Sequence, residues 1–285
     1  GGLLTYFSGP SFMSGSAITD ECRCEATLTR GRDMTNPPRT VIVTGGCKGI
    51  GAFISRAFHT NGDMVVMASR SDSGLSKELG ERARFVACDV RKPADLCAVV
   101  QAALYWTGRL DVFVNNAGYS AWRSLEAADE KFWNEMIDTN LKGVFFGCRA
   151  AAAHLPNGGI IINISSLAGK RGSANNSVYC ASKFSVNGIT QALAKELGPR
   201  GIRVNAICPV YVQTEGLLEA LSHPQAPPLG QITQAYLNSF AASQASLGRL
   251  PHGEEIARAC LFLTSSAASA ITGQCINVDC GVLPQ

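Results

Sequence analysis

Between a short β-branched run and a helix-compatible stretch the chain carries Thr44-Gly-Gly-Cys-Lys-Gly-Ile-Gly51, and no other segment narrows the choice of fold so much. Arg39-Thr-Val-Ile-Val-Thr44 before it reads as a buried strand. Ala52 to Thr60 after it reads as a helix stopped by Asn61-Gly62. Strand, glycine turn and helix in that order open a doubly wound α/β sheet. Gly45, Gly49 and Gly51 let the backbone turn sharply and approach a pyrophosphate, which the amides and the positive helix end stabilise. A glycine triplet alone is weak ground, because turns collect glycine for many reasons, and its placement carries the argument.

A second pattern lies in the other half. Tyr179 and Lys183 stand four residues apart, so on a helix they share a face one turn apart. A phenol with an ordinary pKa of about 10 is a poor acid-base group at neutral pH, and a nearby ammonium is expected to lower it. Ser166 closes the apolar run Gly159-Ile-Ile-Ile-Asn-Ile-Ser-Ser166, a buried strand that presents its hydroxyl at the carboxyl end. There it can hydrogen-bond a carbonyl oxygen.

Strand-like and helix-like segments alternate from Thr40 to Asp279 without a linker-like gap. The further strands are Met64 to Arg70, Arg84 to Cys88, Leu110 to Val114, Arg203 to Pro209 and Gln274 to Asp279. Phe132 to Ala153 and Tyr179 to Leu197 read as long helices. This predicts one Rossmann-like domain over residues 37–285, a mostly parallel seven-stranded sheet with helices on both faces. A hydrophobic content of 46% supports a sizeable core, and no uninterrupted apolar stretch is long enough to cross a bilayer. The net charge of +3 is spread without a basic block, which argues against a nucleic-acid partner. Eleven scattered cysteines, most in apolar segments, suit buried thiols in a reducing cytoplasm. Cys22 and Cys24 lack a second pair or a histidine at metal spacing, so no metal site is expected. Residues 1–36 have no steady apolar period and read as a flexible extension without the pattern of a secretion signal, and Met13 and Met34 are possible natural starts.

Thr44-Gly-x-x-x-Gly-x-Gly51, Asn115-Asn116-Ala117-Gly118 and Tyr179-x-x-x-Lys183, in that order, resemble the short-chain dehydrogenase/reductase family from about Pro37 to Val282. The resemblance implies an oxidoreductase with a catalytic tetrad of Asn140, Ser166, Tyr179 and Lys183. In the family the asparagine holds a water that links the lysine to solvent, and the lysine also bonds the nicotinamide ribose. Implied cofactor contacts are Gly45, Cys47, Lys48, Gly49, Ile50, Gly51, Asn116, Ala117, Gly118, Tyr179 and Lys183, with Asp89 and Val90 at the adenine. Pro209, Val212 and Thr214 match the P-G-x-x-x-T segment beside the nicotinamide, although Val210 replaces its glycine. Residues from about 212 to 247 match a mobile substrate lid, and Asp279-Cys280-Gly281 stands where relatives often have Asp-Gly-Gly.

Cofactor choice is read at the end of the second strand. Ser69 stands where NAD-preferring folds usually carry a carboxylate, Arg70 follows it, and Lys48 lies in the glycine turn. Two cations flanking a 2′-phosphate predict NADP(H) over NAD(H). The expected chemistry interconverts a carbonyl and a secondary alcohol, with Ser166 orienting the oxygen and Tyr179 supplying the proton.

Leu167, Ala168, Trp122, Tyr211 and Leu217 are candidate substrate contacts. A 3-oxoacyl thioester or similar ketone is one substrate reading. A polyol or sugar phosphate is the other, because Lys170-Arg-Gly-Ser-Ala-Asn-Asn-Ser177 resembles the matching segment of sugar-alcohol dehydrogenases in the family, and Lys170 and Arg171 suit a phosphate or a carrier. An NADP-binding sensor without chemistry stays open as a function of another class. Cys180, beside the tyrosine, is either an oxidation-sensitive thiol or a small helix residue facing away. The apolar residues of the two long helices predict a homo-oligomer, a dimer or tetramer.

Overall fold

Seven runs rich in Val, Ile and Ala form the strands, and every neighbouring pair is parallel. They are β1 (Thr40–Thr44), β2 (Met64–Ser69), β3 (Ala83–Ala87), β4 (Val112–Asn115), β5 (Ile160–Ile164), β6 (Arg203–Pro209) and β7 (Cys275–Val278), in the spatial order 3-2-1-4-5-6-7. The structure is a computed structural model and describes residues 37–284. The extension expected over residues 1–36, with Cys22 and Cys24, lies outside the described residues.

Parallel strands need crossovers, and helices supply them on both faces. α3 (Pro93–Thr107), α5 (Gly143–Ala152) and α6 (Ser177–Leu197) cover one face, where Val99, Cys148 and Val186 meet Ile42, Phe113 and Ile161. α1 (Gly49–Thr60), α2 (Leu75–Leu79) and α9 (Gly253–Leu263) cover the other, where Ile54, Phe58 and Cys260 meet Val43, Val114 and Ile162. The period-2 alternation of each strand sorts its side chains between these two cores, which is why β1 and β5 are buried throughout.

β4 and β5 carry a buried polar chain through one of these cores. Asn115 Nδ2 donates to Asn163 Oδ1 at 2.9 Å, and Asn163 Nδ2 donates to Thr190 Oγ1 of α6 at 2.9 Å. Fully bonded, such a chain fixes the register of strands and helix and avoids the cost of orphaned amides.

The helix expected from Phe132 to Ala153 is interrupted. α4 (Glu130–Ile137) starts on Asp129, whose side chain accepts from Phe132 N, and then widens into a π-turn over Asp138–Lys142 before α5. The widened turn places Asn140, fully buried, at its centre. After β6 come α7 (Glu215–Leu221) and α8 (Thr233–Gln244), separated by a proline-containing turn.

Candidate active site at the carboxyl edge of the sheet

The strand order reverses between β1 and β4, and the crevice outside the carboxyl ends of a doubly wound sheet opens at such a switch point. A cavity of about 1360 Å³ lies there. Its floor is stitched from the ends of β1 and β4: Thr44 Oγ1 accepts from Asn116 N at 3.0 Å and Ala117 N at 3.1 Å, and Asn116 Nδ2 donates to Thr44 O at 2.9 Å. These bonds hold the glycine turn against Asn116-Ala117-Gly118.

The turn has the shape that a phosphate cradle needs. Gly45 and Gly49 adopt φ of +64° and +51°, which side chains disfavour. A Cβ at Gly49 would project toward the Thr214 methyl, 3.7 Å away, into the space between the turn and the Pro209–Thr214 segment. The start of α1 adds its amides and positive dipole end. Lys48 and Arg70 are exposed on the wall, and neither makes a salt bridge among the described residues. Asp89 is held by Arg91, and that hydrogen bond and charge keep its carboxyl down to about 2.

Ser166, Tyr179 and Lys183 share one part of the wall. Ser166 follows β5 and caps a short 3₁₀ turn, its Oγ accepting from Ala168 N at 3.1 Å. Tyr179 and Lys183 project from the first turns of α6, with the ammonium 5.8 Å from the ring centre. Lys183 Nζ is buried and donates to Ile164 O at 2.9 Å. Burial pulls Lys183 down to about 8. The Tyr179 side chain keeps some surface in the cavity, but burial still dominates and pushes the phenol up to about 12, with a hydrogen bond from Ser166 opposing. The expected lowering by Lys183 is therefore corrected: burial sets the direction, and the ammonium is turned to a backbone carbonyl.

Two of the expected site residues stand behind the cavity wall. Asn140 does not line the cavity; its Oδ1 accepts from Tyr119 N at 3.0 Å and its Nδ2 donates to Tyr119 O at 2.8 Å. It still lies near the lysine, since a Cβ at Gly118 would stand 2.9 Å from Asn140 Oδ1 and 3.7 Å from Lys183 Nζ. Gly51 does not line the cavity either. A Cβ there would fall 2.1 Å from Gly45 O, so it serves close packing of helix on turn.

The other expected contacts lie on the wall: Gly45, Cys47, Lys48, Gly49, Ile50, Ser69, Arg70, Asp89, Val90, Asn116, Ala117, Gly118, Pro209, Val212 and Thr214. Leu167, Ala168, Trp122, Tyr211 and Leu217 line it too. Val210 takes a glycine's place without a positive φ, so that turn needs no left-handed residue. Cys180 is buried, does not line the cavity, and has Sγ 4.0 Å from Arg171 O. Arg171 lines the cavity, whereas Lys170 donates to Cys275 O at 2.6 Å.

Sequence reasoning missed Asn176, Ser73, Gln213 and Phe240 on the same wall. Asn176 was within reach, since it precedes Tyr179 by one helical turn; Phe240 on α8 has no local signal. Among the described residues no three His, Cys, Asp or Glu side chains stand close enough to hold a metal ion, and no helix is long and apolar enough to cross a membrane.

Comparison with known proteins agrees with this geometry. A family model described as enoyl-(acyl carrier protein) reductase matches residues 45–283. A putative ketoacyl reductase of the monensin polyketide synthase from Streptomyces virginiae is 38% identical, covering 86% of this chain and 97% of its own. A variant of actinorhodin polyketide ketoreductase solved with NADPH superposes with a TM-score of 0.80 at 32% identity, covering 86% of this chain and 97% of that one. The 3-ketoacyl-(acyl-carrier-protein) reductase of Brucella melitensis, solved with NADH, gives a TM-score of 0.75 at 32% identity over 86% and 98%. Sheet order, glycine turn and relatives together show that the chain belongs to the short-chain dehydrogenase/reductase family.

Proposed function

We propose that the protein is an NADP(H)-dependent oxidoreductase that interconverts a carbonyl and a secondary alcohol. One observation carries this reading: the glycine turn and the Ser166, Tyr179 and Lys183 group line the same cavity. The cradle fits a dinucleotide, with its pyrophosphate at the turn and the start of α1 and its 2′-phosphate between Lys48 and Arg70. A nicotinamide dinucleotide bound there supplies the hydride that reduces the carbonyl carbon.

The chain's own groups do the rest. The Ser166 hydroxyl hydrogen-bonds the substrate oxygen and polarises the carbonyl. Tyr179, held protonated by burial, gives its proton to that oxygen as negative charge develops there. Lys183, an ammonium at neutral pH, offsets the charge left on the phenol and has two N–H bonds beyond the one given to Ile164 O for a ribose. Tyr211, Leu217 and Phe240 enclose the substrate half and exclude water. Two of the relatives carry ketoacyl reductase in their names, which supports a 3-oxoacyl thioester or a similar ketone as substrate.

The test is a carbonyl panel run with NADPH and NADH on wild type, Tyr179→Phe and Arg70→Ala. Wild type oxidises NADPH faster than NADH. Tyr179→Phe loses about 10² to 10⁴ in kcat while still binding NADPH. Arg70→Ala weakens NADPH by about 1.5 to 3 kcal/mol and leaves NADH nearly unchanged. Equal wild-type kinetics with both cofactors would remove the NADP preference, and full activity in Tyr179→Phe would remove the mechanism.

A further inference from the structure

The cavity wall has a back as well as a front. Leu167, Val210 and Phe240 line the cavity, and they share one apolar cluster with Ala245 just past α8 and with Val282 and Leu283 beyond β7. Ala245 and Val282 are buried, and neither they nor Leu283 line the cavity. They back the wall.

β7 is an edge strand, and the segment that leaves it is gripped three times. Asp279 Oδ1 accepts from Gly281 N at 3.0 Å and Oδ2 from Leu283 N at 2.8 Å, while Asn277 Nδ2 donates to Leu283 O at 2.7 Å. Both backbone groups of Leu283 are thus held by side chains at the end of β7. Cys280 and Gly281, with φ of +56° and +81°, turn the chain back as a hook. Asp279 is 8% exposed, a burial that a carboxylate tolerates only with its oxygens bonded. The hook also fastens the helix that carries Phe240: Leu247 N donates to Cys280 O at 3.1 Å and Ser246 Oγ to Gly281 O at 3.0 Å, just past the end of α8.

We propose that Asp279 and Asn277 are positioning residues that set the size limit of the substrate pocket, because the hook they hold keeps Leu167 and Phe240 from yielding to bulk beside the reacting carbonyl. This rests on the oxidoreductase reading above and goes on to the size of its substrate. A close-packed wall rejects bulk only as firmly as its backing resists displacement. Each hook bond adds to that resistance, so its loss lets the wall recede at lower cost.

The experiment compares ethyl acetoacetate with ethyl benzoylacetate and benzyl acetoacetate, which add a ring on either side of the keto group, together with further small and bulky pairs drawn from the ketones that wild type reduces. Asp279→Asn gives up one accepted bond, and Asn277→Ala removes one grip along with a buried oxygen that has no partner among the described residues. Leu283→Ala thins the backing itself, and Val99→Ala, in the core under α3, is the control for lost stability alone. In each of the first three variants the ratio of kcat/KM for a bulky ketone to that for its small partner rises by about fivefold, the worth of one ordinary hydrogen bond or more. The Kd of NADPH, read by fluorescence titration, stays at the wild-type value. Val99→Ala lowers Tm and leaves the ratio alone. If the ratio is unchanged in all three variants, or moves as far in Val99→Ala, the hook is structural only and the inference is overturned while the oxidoreductase reading stands. If wild type reduces no carbonyl with NADPH or NADH, the underlying reading falls and takes this one with it.

Discussion

Burial, more than charge pairing, sets the chemistry of the two central residues. Lys183 is pulled from its ordinary 10.5 down to about 8, so its ammonium persists below about 8 and is lost as pH rises through it. The rate of carbonyl reduction is expected to fall along an alkaline limb near 8, and Lys183→Arg, whose guanidinium keeps its proton, should lack that limb at reduced overall activity. The linkage has a definite sign. The folded state binds fewer protons than the unfolded chain between about 8 and 10.5, so this contribution to stability is present above 10.5 and lost as pH falls through 8. Steady-state rates from pH 6 to 10 check the limb. At the other end of the sheet Cys280 holds φ +56°, a left-handed conformation that costs a residue with a Cβ about 1 to 2 kcal/mol. Cys280→Gly removes that strain at the loss of a partly buried thiol, and a thermal melt should show Tm higher by about 2 to 4 °C. The Asp-Cys-Gly order hinted at this strain, but only backbone angles separate it from Val210, another glycine replacement that carries none.

At the scale of elements the sequence was readable wherever a local period or a breaker residue marks the segment. The strands and α6 emerge from their apolar patterns within a residue or two. The π-turn does not, because Asp138-Thr-Asn-Leu-Lys142 contains no glycine or proline and a one-residue widening barely disturbs the apolar period. The proposed lid shows the same division. Pro224, Pro227 and Pro228 announce the break between α7 and α8, whereas the clasp that holds it depends on residues about a hundred positions away. Gln225 Oε1 accepts from Ser124 N at 3.0 Å, its Nε2 donates to Ser124 Oγ at 3.3 Å, and its carbonyl accepts from Asn175 Nδ2 at 3.2 Å.

His223 completes the clasp in an over-subscribed way. Its Nδ1 faces Gln225 N at 3.2 Å and its Nε2 faces Arg123 Nη1 at 2.6 Å, both donors, while a neutral imidazole offers one acceptor. Burial and then Arg123 hold its pKa below the ordinary value, and protonation would cost the one hydrogen bond the ring accepts. Its contribution is thus present above the usual histidine range and lost as pH falls through the lowered value. KM is expected to rise on acidification in wild type and to stay flat in His223→Gln. Gln225→Ala, which gives up two side-chain hydrogen bonds of about 1 kcal/mol each, should raise KM several-fold with little change in kcat.

For the whole molecule, the strand order follows from rules that need no side-chain detail. Right-handed crossovers and one reversal beside β1 place the glycine turn, the Asn115-Asn116-Ala117-Gly118 segment and the end of β5 at the same edge, so motifs far apart between Thr44 and Ser166 converge. What the chain does with its outer surface is less local. Trp133 of α4, Phe145 of α5 and Phe184 of α6 are 48%, 44% and 48% exposed, and α4 and α5 each pack against α6. Large apolar side chains gathered on adjoining helices are costly to leave in water and suit a self-complementary interface, since symmetric pairing buries each of them twice. The protein is therefore expected to run above the 30.1 kDa of a single chain in size-exclusion chromatography with light scattering. The paired substitution Phe145→Glu with Phe184→Glu places carboxylates in that interface and should bring the mass down to one chain. A wild-type mass of 30.1 kDa, or an unchanged larger mass in the double variant, would show that these helices face solvent or a different partner.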